Sequence, residues 1–226
     1  VHGVDRTRIT SNTFVGQRGS AIAIWSEGVG ADDTLIEGNT ITQTVTNRVS
    51  PITSRGNESI TQGGIQNLRT VVRGNTIDQG AGDVGWFGIE FKQSARALIE
   101  GNTIRGGRVL ISFPETNAAI IRNNTLDMRG TPFWGIEIAN SLGVTVEGNT
   151  FLGDRDVAAI SHNSGSRGSL IRLNRAALPG TFVDLNADRG GGGHTIRDNC
   201  LTGVLRVTRY ADDPSNPSTV TANGAC

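Results

Sequence analysis

Lysine is nearly missing from this chain. Lys92 stands alone, and the other 20 of its 21 basic residues are arginine. A GC-rich coding sequence explains that bias without any function. Acidic residues also number 21, so no surplus of charge points to nucleic acid or to an anionic membrane surface. Aromatics make up 5% and proline only 6 residues. No apolar run approaches the roughly 18 residues of a membrane-spanning helix. No signal peptide opens the chain, which starts in mid-pattern at VHGVDRTRITSNTF, as a mature protein or an excised domain would. Phosphate loops, dinucleotide fingerprints, zinc-ligand spacings and nucleophile elbows are absent too. Cysteine is scarce: Cys200 and Cys226 are the whole set. A pair placed to tie down the end of the chain reads as a disulfide. That implies an oxidising compartment: secreted, periplasmic or cell surface. Two free thiols are the alternative.

What the chain has in excess is glycine, 31 of 226 residues, and one recurring phrase. LIEGNTI at 35–41 returns as VVRGNTI at 71–77, LIEGNTI at 98–104, IIRNNTL at 120–126 and VTVEGNTF at 144–151. Indexed by asparagine, the repeat falls at Asn12, Asn39, Asn75, Asn102, Asn124, Asn149, Asn174 and Asn199, with gaps of 27, 36, 27, 22, 25, 25 and 25. Leucine-rich repeats need an L-x-x-L-x-L frame that is absent, and helical repeats need longer amphipathic stretches. Here apolar residues alternate, and Gly and Asn punctuate every few positions. Each repeat holds two or three short strand-like pieces. That is one turn of an all-β, single-stranded, right-handed parallel β-helix of about eight coils, 22–27 residues per coil. The Asn marks a tight bend, where a left-handed backbone is expected and where stacked Asn side chains can bond each other. Each coil buries its apolar face only against the next, which is why the phrase recurs. Residues 1–226 form a single domain on this reading, with a long inserted loop at 42–63 and a C-terminal tail at 209–226.

The pattern over residues 7–208 resembles the parallel β-helix repeat of the pectate-lyase-like superfamily. That resemblance implies polysaccharide as partner and an extracellular β-helix that processes or binds it, of uronate lyase, epimerase or glycoside hydrolase type. It equally covers non-catalytic structural or adhesin segments of larger surface or phage proteins. No cluster of aspartates for Ca²⁺ is present. The polygalacturonase signatures and the DPHE-like string of alginate epimerases are missing, which argues against familiar pectin chemistry.

A solenoid interior is filled, so a site must lie on an outer face. Strict alternation points Glu90, Lys92, Glu137, Asp184 and Arg206 outward, with Arg108, Leu110, Ser112 and Thr208; His162 lies near the end of its strand. Glu90 and Glu137, two coils apart, would lie about 9.5 Å apart. An inverting glycosidase needs about 6.5–9.5 Å. Lyase or epimerase chemistry would instead use Lys92, Arg108 or His162 to neutralise or deprotonate a uronate. The candidate catalytic set is therefore Glu90, Lys92, Glu137, His162 and Asp184. Trp86 and Trp134, in DVGWFGIEF and GTPFWGIEI, would stack on sugar beside Arg108 and Arg206. Both Glu residues should face one groove, walled by the 42–63 loop. The bland reading is a solvated face. Asp32–Asp33, Asp154 with Asp156, and Asp212–Asp213 could hold Ca²⁺, though acidic loop pairs are usually just solvated; no cofactor is otherwise indicated.

Overall fold

The computed structural model describes all residues except 27–28, 44–48, 57–63, 65, 81–85, 132, 186–190, 211–213 and 226. No helix occurs among the described residues. Every sheet pairing is parallel. One sheet has nine strands, from Arg8–Thr10 to Thr219–Thr221. A second has eight, from Thr13–Val15 to Cys200–Thr202. A third has eight, from Ile22–Trp25 to Arg206–Arg209. A three-stranded ribbon, Asn67–Leu68, Ser94–Ala95 and Thr116–Asn117, completes the wall. The result is a parallel β-solenoid of about seven turns.

The repeated phrase stacks in register. Ile36, Val72, Ile99, Ile121, Val146, Ile171 and Ile196 form one buried column. Ile41, Ile77, Ile104, Leu126 and Phe151 form the next. Each such side chain contributes roughly 1.5–3 kcal/mol by leaving water. Between the two columns lies the asparagine corner. Asn75 Nδ2 donates to Asn102 Oδ1 at 2.9 Å, and the Asn75 backbone N–H donates to the same oxygen at 2.9 Å. Asn102, Asn124, Asn149 and Asn174 each repeat both bonds to the next coil. The left-handed residue is not the Asn but the one before it: φ is 62° at Gly38, 60° at Gly74 and 63° at Gly101. That frees the Asn to turn its amide inward as a buried ladder, while Gly takes the strained backbone.

Two segments depart from the expected layout. The stretch 42–63 contains a regular strand, Ile52–Arg55, that pairs with Ile22–Trp25 and Phe87–Lys92. Its inward position is Ser54, fully buried, with Asn67 Nδ2 donating to its hydroxyl at 3.0 Å. A satisfied polar residue in the core hides the apolar alternation. The C-terminal stretch continues the solenoid instead of standing apart as a tail. Thr219–Thr221 adds to the nine-stranded sheet, and Asn223 accepts from Asn199 Nδ2 at 2.7 Å, continuing the ladder. Gly224 bridges to Cys200. Cys226 lies outside the described residues, and so does its expected bond to Cys200.

Candidate functional site

The third sheet carries the candidate site. Its strands are Ile22–Trp25, Ile52–Arg55, Phe87–Lys92, Val109–Pro114, Trp134–Ala139, Ala158–Asn163, Thr181–Leu185 and Arg206–Arg209. Register places Thr53, Glu90, Ser112, Glu137, Ser161, Asp184 and Arg209 in one outward column. Acids therefore alternate with serines, one per rung, about 4.8 Å apart. The spacing keeps like charges two rungs apart, since stacked carboxylates on adjacent rungs would repel.

The three acids differ in their company. Glu90 is buried and accepts from Arg55 Nη2 at 2.8 Å and from the Ser50 hydroxyl at 3.0 Å. Asp184 is buried and held by Arg209 through both carboxylate oxygens. Glu137 is half-buried. It accepts from the Ser112 hydroxyl at 2.7 Å and from Asn163 Nδ2 at 3.3 Å. Among the described residues no cation lies within 4 Å of it. Two donors occupy part of a carboxylate's acceptor capacity, which is about four sites.

Above Glu137 lies a cleft of about 190 Å³, lined by Trp86, Phe87, Arg108, Val109, Phe133 and Trp134. All four rings of the two aromatic pairs line it. Trp86 meets Phe87 edge-on at 5.2 Å, and Phe133 and Trp134 are tilted at 5.8 Å. The Arg108 guanidinium sits over the Trp86 ring at 5.0 Å and the Phe133 ring at 4.4 Å. Such a cation between two rings fixes the side chain and holds the rings apart. Glycine sets the depth. A Cβ on Gly135 would lie 2.7 Å from the Ala159 carbonyl oxygen and 2.9 Å from Met128 Sδ, and one on Gly88 would lie 2.6 Å from the Leu110 carbonyl oxygen. The W-F-G and F-W-G strings thus run from cleft wall to core within three residues.

Glu90 does not open into this cleft. It lines an adjoining one of about 210 Å³ with Trp25, Ser50, Thr53, Arg55 and Trp86. The expected common groove is two clefts that share Trp86 as a wall. Val49 and Ser50, from the 42–63 segment, line the second.

The other candidates are placed as follows. Lys92 is outward and exposed, in register with Arg55, but lines neither cleft. Arg206 is outward, 3.5 Å from Asp156, and away from both. His162 points inward. Its register partners are Ile138 and Leu185, it is 2% exposed, and its ring lies 4.0 Å from that of His194. Neither ring nitrogen makes a hydrogen bond of ordinary geometry. Burial pushes its pKa well below the ordinary 6.5, the charge of His194 pushes it further, and the Asp184 backbone offsets part of this. A neutral imidazole in the core cannot serve the face. Leu110 is also core, and Thr208 shares the inward column of Val183, so Arg209 rather than Thr208 faces out. Strict alternation fails at Leu110 and Thr208 because these strands turn two consecutive residues inward before the outward column: Leu110 and Ile111 before Ser112, and Val207 and Thr208 before Arg209. His162, by contrast, follows the outward Ser161 in ordinary alternation. Asp32 and Asp33 are engaged by Arg69, and Asp156 by Arg206. Residues 212 and 213 lie outside the described residues. Arg55, Arg209 and Asn163, which set the acids' surroundings, escaped the sequence reading. Only the stacked register reveals them.

A family model described as right handed beta helix region matches residues 1–176. The chain belongs to the right-handed β-helix family. Among solved right-handed β-helix structures, it is similar to a mutant DFA-IIIase from Arthrobacter chlorophenolicus A6 in complex with DFA-III. The TM-score is 0.61 at 17% identity, over 94% of this chain and 47% of that one. It is also similar to endopolygalacturonase I from Stereum purpureum complexed with two galacturonate, at TM-score 0.52 and 15% identity, over 97% of this chain and 78% of that one. At these identities the likeness concerns the fold. The chain spans about half the length of the DFA-IIIase. No curated protein matches the chain in sequence.

Proposed function

We propose that this β-helix binds a glycan outside the cell or at its surface, with the Trp86–Trp134 cleft as the site. The observation that carries the reading is Glu137: a half-buried carboxylate with no cation within 4 Å among the described residues, in a cleft lined by four aromatic rings. A pyranose has an apolar CH face that stacks on such rings, and its hydroxyls suit a carboxylate acceptor. The presence of polysaccharide-acting and sugar-bound relatives on this fold supports the ligand class.

Binding rather than turnover is the reading the geometry supports best. A hydrolase needs a second working carboxylate, and both neighbours of Glu137 in the column are tied to arginine. A uronate lyase or epimerase needs a base beside the sugar; His162 is buried, Lys92 lies outside the cleft, and Arg108, which lines it, is stacked on the Trp86 and Phe133 rings.

Titration calorimetry against a glycan panel tests this. Glu137→Gln and Trp134→Ala should each weaken the best binder by at least about tenfold, roughly 1.4 kcal/mol. Glu100→Gln, on another face, should leave it unchanged. Binding that survives both cleft variants would sink the reading. New reducing ends or an unsaturated uronate released from any panel member would replace binding with catalysis.

A further inference from the structure

All three tryptophans of the sequence line the two clefts: Trp134 the one, Trp25 the other, and Trp86 both. Trp25 is 41% exposed, at the outer end of its strand, and is backed by His2 at 5.9 Å. Its strand and that of Trp134 lie four rungs apart, with Ile52–Arg55, Phe87–Lys92 and Val109–Pro114 between them. Four rungs are about 19 Å along the solenoid axis, far more than one sugar ring covers.

The clefts also differ in polarity. In the Trp25 cleft Arg55 is 45% exposed at its side chain. Its Nη2 serves Glu90, and a guanidinium has five N–H donors in all. Ser50 and Thr53 add hydroxyls. This cleft offers donors. The Trp134 cleft offers the acceptor Glu137 between rings, with its own guanidinium, Arg108, stacked against Trp86 and Phe133.

We propose that the ligand is an oligosaccharide chain that crosses the sheet obliquely over both clefts, four rungs along the axis and five strand positions across it, with Trp25, Trp86 and Trp134 as successive stacking platforms. This rests on the glycan reading of the Trp134 cleft and adds a second subsite to it. A residue rich in acceptors sits over Arg55, and one that donates hydroxyls sits over Glu137. Trp86, the shared wall, lies beneath the linkage between them. Each platform adds stacking area, so affinity grows with chain length until both clefts are filled.

The test uses the full chain and three oligosaccharide series, cello-, inulo- and galacturonan, each from the monosaccharide to the hexasaccharide. Calorimetry measures the affinity of wild type, Trp25→Ala, Trp25→Phe and Trp134→Ala. Circular dichroism and denaturant midpoints check that each variant is folded. In the series that binds, Trp134→Ala should weaken every length. Trp25→Ala should weaken only the longer members, by about tenfold, and leave the shortest binder unchanged. Trp25→Phe should recover most of the loss. If Trp25→Ala leaves every length unchanged while Trp134→Ala weakens them all, the second subsite is wrong and the single cleft stands. If no member of any series binds, both readings fall. An unfolded Trp25→Ala with a folded, fully binding Trp25→Phe and no gain of affinity with length also overturns the proposal.

Discussion

Two outward columns of this solenoid stack charge at the same spacing and handle it in opposite ways. On the nine-stranded sheet, Glu37, Arg73, Glu100, Arg122, Glu147 and Arg172 follow one another rung by rung. Arg73 bonds Glu37 at 2.6 Å, Arg122 bonds Glu100 at 2.8 Å, and Arg172 bonds Glu147 at 2.8 Å. On the candidate face, acids alternate with serines, and the outer two find arginines while Glu137 does not. In-register parallel stacking multiplies whatever one rung carries, so like charges must be diluted or answered. The first column answers each acid and leaves nothing over. The second dilutes with hydroxyls and retains one acceptor facing a cleft. Neutralisation closes the first column as a wall, while the second leaves a carboxylate beside rings, the feature on which the proposed glycan site rests.

The comparison can be tested from the largest effect downward. Asn124→Ala removes a corner of the coil that carries the wall, between the nine-stranded sheet and the second sheet. It strips the Asn102 amide groups of their acceptor and leaves the Ile99 and Arg122 carbonyls without its Nδ2. Buried groups so orphaned cost about 1–3 kcal/mol each, so denaturant unfolding should show a loss of several kcal/mol, roughly 4. A loss under about 1 kcal/mol would mean the ladder does not organise the coils.

Glu90→Gln separates the candidate face from the wall. Glu90 is buried, but its partner Arg55 is half exposed, which tempers the cost of breaking the pair. The expected loss is about 2 kcal/mol, larger than for any single acid of the wall.

Acid sensitivity distinguishes the columns from the core behind them. His162 is held neutral, so its folded pKa lies below its unfolded value. Its contribution is complete above about pH 6.5 and is lost as pH falls from there toward the folded value, roughly 1.4 kcal/mol by pH 5.5. His162→Leu, matching its neighbours Ile138 and Leu185, should flatten that limb in denaturant midpoints taken at several pH values. An unchanged slope would assign it to the carboxylates instead.

Glu100→Gln should be the mildest. The Arg122–Glu100 pair is solvated on both sides, so the loss should stay under about 1 kcal/mol and vanish in high salt. Glu137→Gln should be equally mild for stability, since its donors are a hydroxyl and an amide, while affecting glycan binding strongly.

The fold was legible because its rule repeats. Asn39, Asn75, Asn102, Asn124 and Asn149 occupy equivalent corners, and each repetition reinforces the others. The outward sense of Glu90, Glu137 and Asp184 followed from alternation within single strands. What escaped depends on neighbours a whole coil away. Arg55 lies 35 residues from Glu90 and Arg209 lies 25 from Asp184, so neither pair leaves a local trace. Leu110 was obscured by a strand that turns two successive residues inward, and His162 by its polar character at an alternation position that belongs to the core. The strand Ile52–Arg55 was obscured by Ser54, a polar residue where the core column calls for an apolar one.

Because every rung advances the chain by the same step, this molecule is also a ruler, and its site is written in whole divisions. Excising one complete coil, such as the 22 residues from one Asn corner to the next between Asn102 and Asn124, would remove one division and leave both flanking corners able to join. The acids at Glu90 and Glu137 would then stand one rung apart instead of two, and Trp86 would meet the Phe133 and Trp134 rings without Arg108 between them. Inheritance can therefore retune such a surface by unequal crossing-over between near-identical phrases. Each event changes the spacing of the groups on that face while the scaffold that carries them is preserved.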